Sequence, residues 1–336
     1  MAQKHSPSES TQHSGDQAVP ATDRPSGTPS LLYRSGLIIL DKPAGASSHD
    51  MVAKVRRIMG TKKVGHSGTL DPMATGVLVL GIERGTKFLA HVVTHDKRYE
   101  ATMAFGARTV TDDVEGEVLH TAETAEIDSF TAEGMTARLG EIFAEFQGEI
   151  MQRPTSVSSI KINGRRAHEL VREGKEVDIP PRPITIHSLS FSDVRREETA
   201  EGPRWLVDVS VHCSSGTYIR AIARDVGEAL GLGGYLTALR RTSVGPFDIA
   251  EAVTLEELAD TPELSLSLDA AMQVCFPTRP ITEEQAADLA LGKWLEPIGL
   301  KGVHAAVDPQ GHAIALIKEK GRRAASEFVA RPHGLV

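Results

Sequence analysis

The sequence predicts an α+β fold in two parts, and three observations carry that expectation. Its 336 residues exceed one compact core. Helical and strand-like periodicities follow one another without a regular βαβ rhythm, which disfavours a doubly wound sheet. Beyond Cys275-Phe276-Pro277 the pattern changes to short alternating runs broken by a strong turn at Asp308-Pro309-Gln310-Gly311. Hydrophobic residues at 40% and charged ones at 24% are globular values, and aromatics at 4% imply cores of Val, Leu, Ile and Ala.

From the N-terminus, Gly36 to Asp41 reads as a short buried strand closed by the Lys42-Pro43-Ala44-Gly45 turn. A helix follows, with Ser48 as N-cap, Val52, Val55 and Met59 at helical spacing, and Gly60 as its stop. Thr61 to Thr75, rich in Gly, Ser, Thr and Pro, reads as loop, and Gly76 to Ile82 as a buried strand. Lys87 to Val93 is expected to be helical. Tyr99 to Phe105 alternates as a strand with Tyr99, Ala101, Met103 and Phe105 on one side. Ala132 to Phe146 carries the helical stripe Met135, Leu139, Ile142, Phe143 and Phe146. Helices are also expected at Arg165 to Gly174, Tyr218 to Leu230, Leu255 to Val274 and Thr282 to Leu291, and strands at Ile184 to Phe191, Trp205 to His212, Val303 to Val307 and Ala313 to Lys318.

Two cysteines, Cys213 and Cys275, are too few for a disulfide framework or a Cys-rich zinc site, so a reducing cytoplasm is the default. Residues 1–32 lack an apolar stretch and read as a disordered tail. No apolar run reaches the ~18 residues of a membrane-spanning helix. The net charge of -8 argues against a polyanionic partner on average, but the average hides a segregation. Twelve basic residues face six acids between Arg34 and Arg108, whereas between Asp112 and Glu149 eleven acids are opposed by Arg138 alone. One basic face is therefore compatible with nucleic acid.

The most informative stretch is Gly65-His66-Ser67-Gly68-Thr69-Leu70-Asp71-Pro72-Met73-Ala74-Thr75-Gly76. Its glycines let backbone approach a ligand, and Pro72 restricts Asp71 to extended conformations, so the carboxylate is presented on a stiffened turn. Taken alone, an Asp-Pro more often merely closes a turn. The glycine spacing fits neither a dinucleotide fingerprint nor a Walker loop. His91 and His95 stand four apart, but no third ligand accompanies them, so they read as a solvent-facing pair and no metal site is expected. Cys213 at the end of a strand reads as packed and inert. Arg220 lies off the apolar face of its helix and is free to pair with an acid, or is simply solvated. Tyr99, after Lys97-Arg98, can stack on a base or be an ordinary strand tyrosine.

Six separated motifs in one order bring these residues together. They are Gly36 to Ser48, Lys63 to Leu78, Thr86-Lys87-Phe88, Asp96-Lys97-Arg98-Tyr99, Cys213 to Arg220 and Ala238-Leu239-Arg240-Arg241. Over about residues 36 to 247 the chain resembles the TruB branch of RNA pseudouridine synthases. The resemblance implies a pseudouridine-synthase catalytic domain at 33–276 with a central mixed, largely antiparallel sheet flanked by helices. It implies isomerisation of one uridine in the T-loop of tRNA without metal or organic cofactor, and assistance to tRNA folding. The glycosidic bond breaks, the uracil turns, and C5 is rejoined to the ribose.

By the same resemblance Asp71 is the catalytic carboxylate, Tyr99 stacks on the flipped base, and Arg220 pairs with the carboxylate. Leu239 walls the uracil pocket, and His66 helps displace the target nucleotide. Lys42 and Lys87 supply basic charge, Tyr218 belongs to a substrate-binding motif, and Lys161 falls in an RNA-clamping segment at about 152–182. Val157 and His168 depart from the tyrosines common in that segment, which puts stacking there in doubt. Residues 277–336 resemble a PUA-like β-barrel module that holds the acceptor end of tRNA, expected to be a separately folded accessory. No membrane and no obligate protein partner are implied. A guide-RNA-dependent synthase and a tRNA folding chaperone are the alternatives; the absence of a long basic tail weighs against the first.

Overall fold

The computed structural model describes residues 30–335 apart from 159, 163, 168, 169, 171, 172 and 174–176. The stretch read as a disordered tail lies, through residue 29, outside the described residues, as does His168. The chain opens with β1 (Gly36–Lys42), α1 (Ser48–Ile58), β2 (Val64–His66), β3 (Thr75–Ile82), α2 (Gly85–Val92) and β4 (Lys97–Phe105). A hairpin of β5 (Ala107–Thr109) and β6 (Val118–Thr121) leads to α3 (Thr124–Asp128), α4 (Ala132–Glu145) and β7 (Gly148–Gln152). The short pair β8 (Lys161–Ile162) and β9 (Arg165–Arg166) precedes the long strands β10 (Arg182–Thr199) and β11 (Gly202–Cys213). Then come α5 (Ile219–Leu230), β12 (Gly234–Val244), β13 (Phe247–Asp248), α6 (Leu255–Asp260), β14 (Leu266–Ser267) and α7 (Leu268–Cys275). The chain ends with β15 (Thr278–Pro280), α8 (Glu283–Ala290), β16 (Val303–Val307), β17 (Ala313–Lys320) and β18 (Arg323–Val329).

The main sheet runs in the order β14-β1-β3-β12-β4-β11-β10-β7, with β2 and β13 attached at its sides. It is antiparallel throughout except where β12 lies parallel to β3. That parallel contact depends on a glycine. Gly76 has φ of +100°, and a Cβ there would stand 2.2 Å from the Arg241 carbonyl oxygen, so no side chain fits where β12 crosses the start of β3. The expected faces appear: Tyr99, Ala101, Met103 and Phe105 enter one core with Met135, Leu139, Ile142 and Phe143 of α4.

Several boundaries differ from expectation for local reasons. Ser47, not Ser48, caps α1: its hydroxyl accepts from the Asp50 amide, and Asp50 answers at the Ser47 amide. Ser48 is thereby freed to reach Leu70. The stretch expected to be loop contains β2, which pairs with β3. Arg165 and Arg166 form a strand where a helix was expected to begin, and most of the following stretch lies outside the described residues. The single helix expected over Leu255 to Val274 is two helices, parted by β14 pairing with β1.

The C-terminal strands form an open sheet, β15-β16-β17-β18, and no closed barrel forms among the described residues. It does not stand apart from the rest. Leu316, Phe328 and Ala330 share a buried cluster with Val77, Phe88 and Val92. Arg84 donates to the carbonyls of Val329 and Ala330, and Arg331 pairs with Asp269 of α7.

Candidate active site

The loop between β2 and β3 is pinned from beneath. Ser48 accepts from the Leu70 amide at 2.8 Å and donates to its carbonyl at 3.0 Å, while Gly45 donates to the Pro72 carbonyl at 2.8 Å. Lys42 is fully buried under the turn and spends its ammonium on the carbonyls of Pro43, Ala46 and Pro72. Burial pulls its pKa down to about 8. Lys42 thus supports the loop from within and does not line the cleft above it. Above this support Asp71 keeps a third of its side chain exposed.

Arg220, in the first turn of α5, is 5% exposed. Its guanidinium meets Asp71 edge-on, with Nε 3.0 Å from Oδ2 and Nη2 3.2 Å from Oδ1. The fork is otherwise committed to protein: Nη1 donates to the Thr111 carbonyl at 2.7 Å and lies 3.3 Å from Asp113, and Nη2 donates to the Val157 carbonyl at 3.0 Å. Desolvation raises the Asp71 pKa above the ordinary aspartate value; Arg220 pulls it back, Asp113 pushes it further up, and Lys42 opposes.

Opposite the loop, β4 and β12 supply the other wall. Tyr99 and Arg241 are direct cross-strand partners, and Leu239 shares their face two residues along β12. Arg241 is almost completely buried and donates to the carbonyls of Val77 at 2.7 Å and Gly68 at 3.3 Å, so it joins β12 to the aspartate loop. These elements enclose a cleft of about 710 Å³ onto which Asp71, Tyr99, Tyr218, Arg220 and Leu239 all open. Gln152 fixes the entrance to α5 by a double hydrogen bond with the Tyr218 backbone.

Other expected residues lie elsewhere. His66 packs edge-on against His49 with centroids 5.7 Å apart, and is not part of the cleft lining. Lys87 is exposed on α2 outside the lining. The Lys161 backbone lies in β8, and its side chain is outside the described part. His91 and His95, expected as a solvent-facing pair, are instead half-buried against Phe276, and among the described residues they enter no group of three possible metal ligands. The residues that sequence reasoning left without a role are Lys97, Asp113, Glu115 and Arg241, all of which line the cleft. Lys97 and Arg241 lie inside the family-like motifs Asp96 to Tyr99 and Ala238 to Arg241. Asp113 was submerged in an acidic run, and nothing in a single sequence sets it apart from Asp112.

Residues 56–219 match the N-terminal domain of the TruB family pseudouridylate synthase. Residues 220–273 match the tRNA pseudouridylate synthase B C-terminal domain, and 276–331 the C-terminal part of tRNA pseudouridine synthase II. The tRNA pseudouridine synthase B of Corynebacterium jeikeium is 63% identical over 308 residues, covering 91% of this chain and 97% of the relative. The chain belongs to the TruB family of pseudouridylate synthases. It is therefore an enzyme, an isomerase that converts uridine to pseudouridine. The tRNA pseudouridine synthase B of Corynebacterium diphtheriae is 56% identical over 90% of this chain and 99% of its own. That of Rhodococcus jostii is 52% identical over 93% and 98%. Among solved structures, an H/ACA RNP bound to a substrate RNA containing 2'-deoxyuridine superposes with a TM-score of 0.64 at 23% identity, over 91% of this chain and 87% of that one. A Cbf5-Nop10-Gar1 complex superposes at 0.63 and 24%, over 92% and 91%. Both show the shared fold. No helix among the described residues is long and apolar enough to cross a membrane.

Proposed function

We propose that this synthase acts on tRNA in the cytoplasm and isomerises one uridine of the T-loop, with Asp71 as the catalytic carboxylate. The observation that carries the reading is the placement of Asp71: its carboxylate opens on the cleft while Arg220 fixes its orientation from behind. A lone carboxylate suffices for this chemistry. The N1–C1′ bond breaks, the uracil stays bound and turns, C5 bonds to C1′, the C5 proton leaves and N1 takes up a proton in its place, so no water is consumed and no second carboxylate of a glycosidase pair is needed. Arg220 keeps Asp71 ionised against its burial. Tyr99 and Leu239 form a wall of the right chemistry for a flat ring, and a base must leave the folded T-loop to reach it.

Residues 33–276 serve as the catalytic part, with 152–182 as the clamp on RNA, and 277–336 as a PUA-like module for the acceptor end. The relatives' names support tRNA as substrate. The same binding would assist tRNA folding without chemistry. The test is mass-resolved mapping of pseudouridine in unmodified tRNA incubated with the purified protein alone. A single product in the T-loop is expected; product elsewhere, or only on addition of a guide RNA, contradicts the assignment.

A further inference from the structure

On the face of the sheet away from the cleft, the ends of β4, β10 and β11 gather three side chains that the reaction does not use. On β11 Cys213 turns inward and is fully buried, so His212 faces outward. On β4 Lys97 and Tyr99 turn toward the cleft, and Asp96, one residue earlier, is exposed. The third comes from a β-bulge. Ile186 pairs with Cys213 and Ser188 with His212, so His187 is the extra residue that the bulge aims outward. His187 Nε2 then lies 3.1 Å from Asp96 Oδ2, and His212 Nε2 lies 4.0 Å from the same oxygen. The two imidazoles are 4.6 Å apart between centroids, and all three ligand atoms fall within 4.8 Å of one another.

We propose that Asp96, His187 and His212 form a binding site for a divalent transition-metal cation of the zinc type, with water completing the coordination. Two imidazoles and one carboxylate are a donor set that zinc accepts and magnesium does not. Ligands at about 2.0–2.2 Å from a tetrahedral zinc stand roughly 3.3–3.6 Å apart, so the present separations need only modest side-chain adjustments. Asp96 and His187 are exposed, which leaves room for the water. Arg98 pairs in register with His212 and works against the cation. The bound ion would tie three strands together behind Lys97 and Tyr99 without touching the reacting uridine.

The experiment is calorimetric titration of the full-length, tag-free protein with Zn²⁺, and separately with Mg²⁺, alongside melting curves. One equivalent of Zn²⁺ should bind and raise the melting temperature, while Mg²⁺ should do neither. His187→Ala and His212→Ala should each weaken Zn²⁺ binding by at least about tenfold. Asp96→Asn, an exposed near-isostere, should do the same, so the outcome stands even if one histidine variant folds poorly. No Zn²⁺ heat and no melting shift in the unaltered protein would overturn the site. So would a full equivalent of binding retained by the His187→Ala, His212→Ala double variant.

Discussion

Arg220 holds two carboxylates at once, Asp71 through Nε at 3.0 Å and Asp113 through Nη1 at 3.3 Å. Asp113 is 2% exposed and cannot be solvated in compensation. One buried cation thus both orients the part-exposed carboxylate of Asp71 and neutralises the buried carboxylate of Asp113 in the wall of the same cleft. Rate and stability should therefore respond separately to changes at this triad.

Arg220→Met should lower the single-turnover rate by about 10²–10³-fold, the loss typical of a preorganised charged group. Binding of tRNA should change little, because the guanidinium is spent on protein. Leaving Asp113 without its cation, held only by the Thr111 hydroxyl and the Glu115 amide, should cost stability, at most about 3–5 kcal/mol. Adding Asp113→Asn should restore part of the stability and none of the rate. Rapid-quench kinetics and urea unfolding of both variants make the comparison. Weakened tRNA binding with an intact rate would refute the pairing role.

In the proposed mechanism, where Asp71 is the catalytic carboxylate, its raised pKa sets the acid limit of activity. The ionised carboxylate is the working form, and burial makes it harder to form than in a free aspartate. Activity should accordingly fade as pH drops, beginning above the range expected from the ordinary value of 3.8. Arg220 is the largest influence holding that pKa down, so Arg220→Met should move the acid limb of the single-turnover pH profile to higher pH. An unmoved limb would separate Asp71 from the observed ionisation.

Much of this site was legible in the sequence, and the part that was not has a physical cause. Asp71 was marked by glycines and by Pro72, whose backbone restrictions act locally. The placement of Tyr99 followed from strand alternation, whereas Leu239 was reached only through the family resemblance. Arg241 was hidden because its role depends on the parallel contact with Gly76, made across more than 160 residues of chain. Asp113 was hidden for the same reason, since only the fold brings it to Arg220. The C-terminal part looked detachable because a turn-rich boundary at Pro277 is a local signal, whereas the apolar cluster that joins Phe88 to Phe328 is not.

That shared cluster yields a prediction opposite to the one the boundary suggests. Phe88 is fully buried, with Phe276 at 6.2 Å and Phe328 at 6.0 Å between centroids. Truncation after Phe276 removes Phe328 and uncovers Phe88, at about 1.5–3 kcal/mol for each large apolar side chain exposed. The truncated protein should show a clearly lower urea midpoint, and activity on a T-arm hairpin should fall along with activity on whole tRNA. An unchanged midpoint with full hairpin activity would show that the C-terminal strands are dispensable for the catalytic core.

The most direct test of the account is Asp71→Asn, which keeps the shape of the side chain and removes its charge. Single-turnover conversion of unmodified tRNA, read by mass-resolved mapping of the T-loop, should fall by about 10⁴-fold or more. Filter binding of the same tRNA should stay within a few-fold of the unaltered enzyme, because phosphate contacts elsewhere supply most of the affinity. Conversion at an appreciable fraction of the normal rate by a variant that binds normally would remove Asp71 from the chemistry.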